Sequence, residues 1–181
     1  LAPGEGGHRS AYFELGTSEW EGGVPEDDFE DADDSTTASI GLLTAPADSV
    51  VDGRLAGWVG DVSLRQSRGE DEVLPGVDVD VDRTELATGM RWYGDTGSAR
   101  LQPFVGAGLL LSRGEFDAGD GVDGNDTSAG FYGVVGVESQ VTDNVRVGLL
   151  YRITEDVEYD FEDDGFEGDF DASSFLLSIG W

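Results

Sequence analysis

The stretch NVRVGLLYRIT, residues 144–154, decides the fold because its apolar and polar side chains alternate with a period of two. Successive side chains of a β-strand point to opposite faces of the sheet, so this alternation predicts a strand. One face carries only Val, Leu, Tyr and Ile, whereas the other carries Arg146, Gly148 and Arg152. The terminal stretch ASSFLLSIGW, residues 172–181, alternates in the same way and predicts a second strand of the same kind.

Similar segments recur along all 181 residues of the chain. We predict eight strands, at about residues 9–18, 36–44, 54–65, 83–93, 100–112, 129–140, 144–154 and 172–181. No helical period persists in any of them, and the length suits one domain. With sequential strands paired as a meander, the pattern predicts an all-β fold, an eight-stranded antiparallel up-and-down β-barrel.

The acidic residues are concentrated in the connections between these segments. The chain has 39 Asp and Glu against ten Arg, contains no Lys, and carries a net charge of −29. Four stretches, residues 19–34, 70–82, 115–126 and 155–171, hold 30 of the acids and no Arg. We therefore predict a single domain over residues 1–181, with an N-terminal tail at 1–8 and acidic loops at about 19–35, 66–82, 113–128 and 155–171. Alternate connections of a meander fall at the same end, so the four loops would share one rim.

Composition also excludes several classes of function. Duplex binding needs cations against phosphate, so a net charge of −29 excludes nucleic acid as a partner. The chain has no Cys, hence no disulfide, no thiol nucleophile and no Cys-based zinc site. Its single histidine, His8, excludes a metal site built from several His residues.

The distribution of polarity between the two faces predicts an inverted barrel. Charges lie on the smaller, Gly-rich face, and eight strands enclose just enough room for side chains, so we expect a lumen filled by ion pairs. The large apolar face would then point outward, at lipid or at a partner. The predicted lumen network consists of Glu14, Asp61, Arg65, Arg83, Glu85, Arg91, Glu138, Arg146 and Arg152. The predicted lipid- or partner-facing set consists of Phe13, Leu15, Trp58, Leu86, Met90, Trp92, Val105, Leu109, Val147, Leu149, Tyr151, Phe175, Leu177, Ile179 and Trp181. Three of these, Trp58, Trp92 and Trp181, lie near the short-turn end, where an aromatic girdle is expected.

Three segments resemble the small eight-stranded outer-membrane β-barrel family of the OmpA and OmpX type. The segment LQPFVGAGL at residues 101–109 is similar to the family's PYVGAGLG strand, and residues 133–152, GVVGVESQVTDNVRVGLLYR, resemble a hairpin of these proteins. The segment SFLLSIGW at residues 174–181 resembles their last strand, although Trp181 stands where Phe is usual. The resemblance implies a membrane barrel but does not choose among structural proteins, adhesins, porin-like proteins and lipid-modifying enzymes.

An enzymatic function is not predicted. A lipid-modifying barrel needs a nucleophile activated by a base, and His8 precedes the first strand, away from any strand-borne Ser. Glu14 and Glu85 could in principle exchange protons, but their Arg neighbours on the same face favour structural ion pairs. No cofactor is required by this interpretation.

Two acidic clusters are candidate Ca²⁺ sites, because hard oxygen ligands at high density suit this ion. One spaces its Asp residues by three in a Gly-rich loop, and the other lies at a hairpin tip. The candidate ligands are Asp117, Asp120, Asp123, Asp126, Asp160, Glu162, Asp163 and Asp164. Neither cluster has the EF-hand spacing, and general halophilic adaptation, in which salt screens self-repulsion, is an alternative explanation of the acidity that does not exclude bound Ca²⁺.

Two hypotheses of function remain open. The first is a structural or surface-interaction protein of the outer membrane of a Gram-negative-type bacterium, with a closed lumen, a cation-binding acidic rim, and membrane lipid or lipopolysaccharide around it. The second is a secreted barrel that self-assembles into an extracellular filament or tube, with Ca²⁺ and neighbouring barrels covering its acidic and apolar surfaces. A lipid-modifying enzyme is a minor third. Because the chain starts at Leu1 without Met or a signal-like apolar segment, we expect a processed, exported protein.

Overall fold

The structure, a computed structural model, describes residues 8–21, 32–51, 54–74, 77–97, 101–117, 123–142, 144–155, 157–161, 166–169 and 171–181. In chain order the strands are β1 (His8–Glu21), β2 (Ala32–Ala45), β3 (Val50–Val51), β4 (Arg54–Leu55), β5 (Gly57–Leu74), β6 (Val77–Tyr93), β7 (Gln102–Asp117), β8 (Asp123–Thr142), β9 (Val145–Glu155), β10 (Glu158–Phe161), β11 (Phe166–Asp169) and β12 (Asp171–Gly180). One turn of 3₁₀ helix, Ala47–Ser49, precedes β3. No helix in the described part of the chain is long and apolar enough to span a membrane.

Eight of the strands form a closed antiparallel barrel, which confirms the predicted fold. Each of β1, β2, β5, β6, β7, β8, β9 and β12 pairs with the next one in this order, and β12 closes on β1. The remaining strands form two small hairpins, β3–β4 and β10–β11. The strand ends that border the connections 46–56, 94–101 and 142–145 lie at one end of the barrel, called the short-turn end, and the strand ends that border the acidic stretches lie at the other, the acidic end.

The strands run further into the acidic stretches than predicted. Pairing of β5 with β6 continues to Leu74 and Val77, and pairing of β7 with β8 continues to Asp117 and Asp123. Much of the predicted loops 66–82 and 113–128 is therefore antiparallel ribbon beyond the barrel wall. The run VDVDVD at residues 77–82 already has the period of two that a strand requires.

The predicted third strand, 54–65, is interrupted near its start. Residues 54–55 form β4 of a small hairpin, and the barrel strand begins at Gly57, whose φ of +83° lies in the region that favours glycine. Beside this break, the Leu55 side chain points into the barrel. Leu55 is buried with Leu43, Val59 and Tyr93 in one apolar cluster, so the connection covers the short-turn end of the barrel.

The strand register determines the dimensions of the barrel. Cross-strand partners followed once around the wall lead from Ser10 on β1 back to Trp20 on the same strand, a stagger of ten residues. Ten steps of about 3.3 Å against eight spacings of about 4.8 Å give a strand tilt of about 41° and a backbone radius of about 8 Å. A lumen of this radius is filled by side chains that meet across it.

Candidate functional site

The outer surface of the barrel is an apolar belt. Of the residues predicted to face lipid or a partner, all are exposed except the half-buried Tyr151; Phe175 is 65% and Leu149 61% exposed. The outward row that starts at Leu101, just before β7, and runs along β7 to Leu111 is apolar over about 33 Å of strand, or about 25 Å along the barrel axis at a tilt of about 41°. That height equals the apolar band of an outer-membrane barrel. Trp58 and Trp92 are cross-strand partners at the short-turn end of this belt.

All nine residues of the predicted lumen network lie inside the barrel. Eight of them are buried, and the Arg146 side chain is 12% exposed. The structure joins them into three groups at different depths between the short-turn end and the acidic end.

The group at the short-turn end is built on Glu138. The Arg146 guanidinium lies 3.7 Å from one Glu138 oxygen, and the Tyr93 hydroxyl donates to the other at 3.2 Å. Arg146 also donates to the Ser10 hydroxyl. Gln102 is the cross-strand partner of Glu138, and its side-chain amide donates to the Leu55 carbonyl oxygen at 2.7 Å. This hydrogen bond attaches Leu55, in the connection between β2 and β5 (the inward connection), to the barrel wall.

The inner ion-pair cluster consists of Glu14, Asp61 and Arg91. Arg91 Nε donates to Asp61 Oδ2 at 2.7 Å, and its Nη2 donates to Glu14 Oε1 at 3.2 Å across the lumen. The Tyr12 hydroxyl donates to the second Asp61 oxygen at 2.7 Å, and the Ser39 hydroxyl donates to the second Glu14 oxygen at 2.6 Å. All four carboxylate oxygens are therefore hydrogen-bonded, as buried charges require.

Aromatic rings complete the surroundings of Arg91. Its guanidinium carbon lies 4.6 Å from the centre of the Tyr12 ring and 5.2 Å from the centre of the Phe104 ring. Tyr93 in turn stacks on Phe104 with 5.2 Å between ring centres. Cation–π contacts of this kind strengthen when they are desolvated.

The outer ion-pair cluster consists of Arg65, Arg83, Glu85 and Arg152. Arg83 Nε lies 3.0 Å from one oxygen of Glu85, and Arg152 Nη2 lies 3.0 Å from the other. Arg65, which is paired in register with Glu85 on the neighbouring strand, instead donates to the Ser174 hydroxyl at 3.1 Å. The guanidinium of Arg152 also covers the Tyr132 ring, 4.2 Å from its centre.

Hydroxyl groups line the lumen beyond the outer ion-pair cluster. Ser18 bonds to both Thr37 and Ser174, and Thr37 bonds to Ser67 at 2.8 Å. These four side chains come from β1, β2, β5 and β12, so the hydroxyl chain links neighbouring strands around the wall. Ion pairs and aromatic rings thus fill the lumen from the short-turn end to the outer ion-pair cluster, and hydroxyl groups line it beyond that cluster.

Several lumen residues were missing from the sequence prediction. Tyr12, Tyr93, Phe104 and Tyr132 hold the charged groups through hydroxyls or ring faces, and Gln102 holds the inward connection. The alternation could have found them, because each lies on the inward row of its strand; Tyr12, for example, is two residues from Glu14. In the sequence, an aromatic side chain that alternates in phase with charged residues of the same strand therefore indicates a lumen residue.

Most of the predicted Ca²⁺ ligands lie outside the described side chains. Asp120, Glu162, Asp163 and Asp164 fall in undescribed segments, and the side chains of Asp117, Asp123 and Asp160 are not described. Only the Asp126 side chain is described, and it is half-buried. Among the side chains that the structure describes, no three His, Asp or Glu residues come together as a metal site.

The residues considered for catalysis are placed apart. His8 is exposed at the start of β1, at the short-turn end. Glu14 and Glu85 are buried and belong to different ion-pair clusters, each held by Arg. Neither the surroundings of His8 nor the two ion-pair clusters that contain Glu14 and Glu85 place an accessible nucleophile next to a base among the described residues.

Comparisons with known proteins agree with this architecture at the level of the fold. No protein-family model matches the sequence, and no curated protein matches it. Neisserial surface protein A (NspA) superposes with a TM-score of 0.68 at 18% identity, over 97% of this chain and 98% of that chain. Ail, the attachment invasion locus protein of Yersinia pestis, gives a TM-score of 0.56 at 12% identity over 97% of both chains. The outer membrane protein OprG from Pseudomonas aeruginosa gives 0.55 at 12% identity, over 97% of this chain and 95% of that chain.

At these identities the likeness concerns the fold. The matches extend over nearly the whole length of both partners, and the barrel closes with eight antiparallel strands. The resemblance seen in residues 101–109, 133–152 and 174–181 is thereby confirmed. The chain has the fold of the small eight-stranded outer-membrane β-barrel proteins.

Proposed function

We propose that the protein is an integral outer-membrane barrel with a structural or surface-interaction role. The observation that carries this proposal is the reversal of polarity across the wall. On β6, Arg91 is 3% exposed inside the barrel, whereas its neighbour Trp92 is 43% exposed outside. Lipid tails solvate such an outer surface, and closure leaves no unpaired strand edge in the apolar band.

Ion pairs that cross the lumen support a function that does not involve transport through the barrel. Arg91 joins Asp61 to Glu14 across the lumen, and Arg152 joins Glu85 across it at a second depth. The inward connection adds an apolar layer at the short-turn end. Ions would have to break these pairs to pass, so a porin-like function is not favoured.

The acidic end supports a surface that binds cations. Thirty acidic residues and no Arg lie in the four stretches of sequence that connect strands at this end. The Ail structure contains the heparin analogue sucrose octasulfate, but a polyanion of that kind would be repelled by this rim. Cations, including Ca²⁺ that bridges neighbouring carboxylates or lipopolysaccharide, fit its charge.

The test is insertion into bilayers, with the natural Trp residues as depth reporters. Variants that keep only Trp58, Trp92 or Trp181 are reconstituted into vesicles whose lipids carry bromine at shallow or deep positions of the acyl chain. We expect flotation with the vesicles and stronger quenching by shallow bromines, because all three lie at the short-turn end of the belt. A Trp20-only variant serves as the comparison from the opposite end.

The competing hypothesis of a secreted filament gives the opposite result in the same experiment. Barrels whose belt is covered by other copies would not float with vesicles, and bromolipids would not quench their Trp emission. Ordered polymers seen by electron microscopy in detergent-free buffer would then replace the membrane assignment.

A further inference from the structure

The chain contains only two asparagine residues, and one of them begins a glycosylation sequence. Asn125 is followed by Asp126 and Thr127, which gives the pattern Asn-X-Ser/Thr with a residue other than Pro in the middle. This pattern is the acceptor sequence of N-linked glycosylation, a modification found at the surface of exported proteins. Asn144, the other asparagine, has Arg146 two positions later and does not match. Asn125 is therefore the single candidate acceptor in the sequence.

Asn125 lies on the outward face of its strand. It belongs to β8, and the side chains of Asn125 and Thr127 are both exposed. Residues two positions apart in a strand share a face, so both side chains lie on the outward row that continues with Phe131 and Val135 of the apolar belt. A glycan on Asn125 would therefore extend away from the barrel.

Asn125 also lies beyond the apolar belt. Phe131 is exposed on the same row, and Asn125 lies six residues further towards the acidic end, about 20 Å along the strand. The pairing of β8 with β9 ends at Phe131 and Glu155, whereas its pairing with β7 continues past Asn125. Asn125 is thus on the ribbon that β7 and β8 form beyond the wall, where a hydrated glycan is clear of the belt.

The side chains next to Asn125 on the outward face are polar. Asn125 is the cross-strand partner of Glu115, and Thr127 is the cross-strand partner of Arg113. Glu115 and Arg113 form an ion pair of 2.9 Å, and each side chain is 55% exposed. The first sugars of a glycan would lie among groups that are already hydrated, so their attachment displaces none of these side chains from a packed position.

We propose that Asn125 is an N-glycosylation site, to which an oligosaccharide is transferred from a lipid-linked diphosphate donor. In this transfer the bond between the sugar C1 and a phosphate oxygen breaks, and C1 forms a bond with Nδ2 of Asn125. The lipid diphosphate leaves with the bonding electrons, and Nδ2 gives one proton to a base of the transferase. Thr127 supplies the hydroxyl group by which the transferase recognises the acceptor. Both hypotheses of function require an exported chain, so the site does not depend on whether the belt faces lipid or other barrels.

The first test is mass spectrometry of the protein purified from the cells that naturally produce it. A glutamate-specific protease cuts after Glu115 and Glu138 and gives a peptide, residues 116–138, that contains Asn125 but not Asn144. We expect this peptide to carry additional mass and to release sugar fragments on collision. A peptide found only at its unmodified mass would overturn the proposal.

The second test compares variants made in the same cells. Asn125→Gln replaces the acceptor by the longer amide, and Thr127→Val removes the hydroxyl group but keeps the branched shape; both should lose the glycan completely. Thr127→Ser should keep it, because serine also completes the pattern. Asn144→Gln, at the short-turn end, is the matched control and should keep it as well.

The variants also separate N-linkage from other attachments. A glycan that persists in Asn125→Gln would be attached elsewhere, for example to the Thr127 hydroxyl, and would overturn the proposal. A glycan that persists in Thr127→Val, or that is lost from Asn144→Gln, would overturn it too. The heat-dependent shift in SDS gels should be the same in all four variants, because each changes an exposed side chain, and this shows that a lost glycan does not reflect a misfolded barrel.

Discussion

Replacing Arg91 by Met is the most informative perturbation of the lumen. Arg91 Nε lies 2.7 Å from Asp61 and Nη2 lies 3.2 Å from Glu14, and the side chain is 4% exposed. Met has a similar length and keeps part of the contact with the Tyr12 and Phe104 rings. The substitution therefore removes the charge and its hydrogen bonds while it leaves most of the packing.

The expected loss of stability follows from what stays behind. Two buried carboxylates would lose the guanidinium that donates hydrogen bonds to both, and breaking a buried pair in this way costs about 3–5 kcal/mol. With an m-value of about 2 kcal/mol/M in urea, the unfolding midpoint should fall by about 2 M. The loss should be smaller for Glu14→Gln, because Arg91 and Asp61 then remain as a balanced pair.

The matched control is Arg113→Met on the outer face. Arg113 lies 2.9 Å from Glu115, an ion pair as short as those of Arg91, but both side chains are 55% exposed. Exposed pairs contribute about 0–1 kcal/mol because water and salt screen them. Urea unfolding in vesicles, followed by Trp emission and by the heat-dependent shift of the band in SDS gels, measures both variants. Equal losses for the two variants would refute the view that burial makes the Arg91 network essential.

Three further predictions concern the belt, the lumen and the acidic end. Leu149→Arg, in the middle of the belt, should cost about 2–4 kcal/mol in bilayers, whereas Gln66→Arg near the acidic end should cost about 0–1 kcal/mol; equal costs measured by vesicle-based unfolding would argue against a lipid-facing belt. Pure protein in planar bilayers should give no stable porin-like conductance, because Arg–carboxylate pairs cross the lumen; steady nanosiemens channels would contradict this. Chelation with EGTA should increase proteolysis of residues 113–128 and 155–171 and alter particle size, whereas loops that stay resistant in unchanged particles would show that cations do not hold them.

The sequence by itself determined which face of the wall each strand residue occupies. A strand has a side-chain period of two, and that period depends only on local backbone geometry. For this reason all nine charged residues expected in the lumen lie inside, and the apolar rows lie outside. Ion pairs between residues close in the chain can also be predicted from the sequence. Examples are Arg83 with Glu85, two residues apart on one strand, and Glu138 with Arg146, on the two strands of a tight hairpin.

The tertiary structure decided the depth of each residue and therefore its partner across the lumen. Arg91 on β6 meets Glu14 on β1, and Arg152 on β9 meets Glu85 on β6, only because the stagger of ten residues brings them to the same height. The stagger is a property of the closed sheet, since it sums the registers of all eight strand pairs. The inward connection 46–56 depends likewise on contacts between Leu55 and strands far away in the chain. Alternation within one strand predicts neither the partners across the lumen nor the path of this connection. Local geometry sets the direction of a side chain but not its height in the barrel.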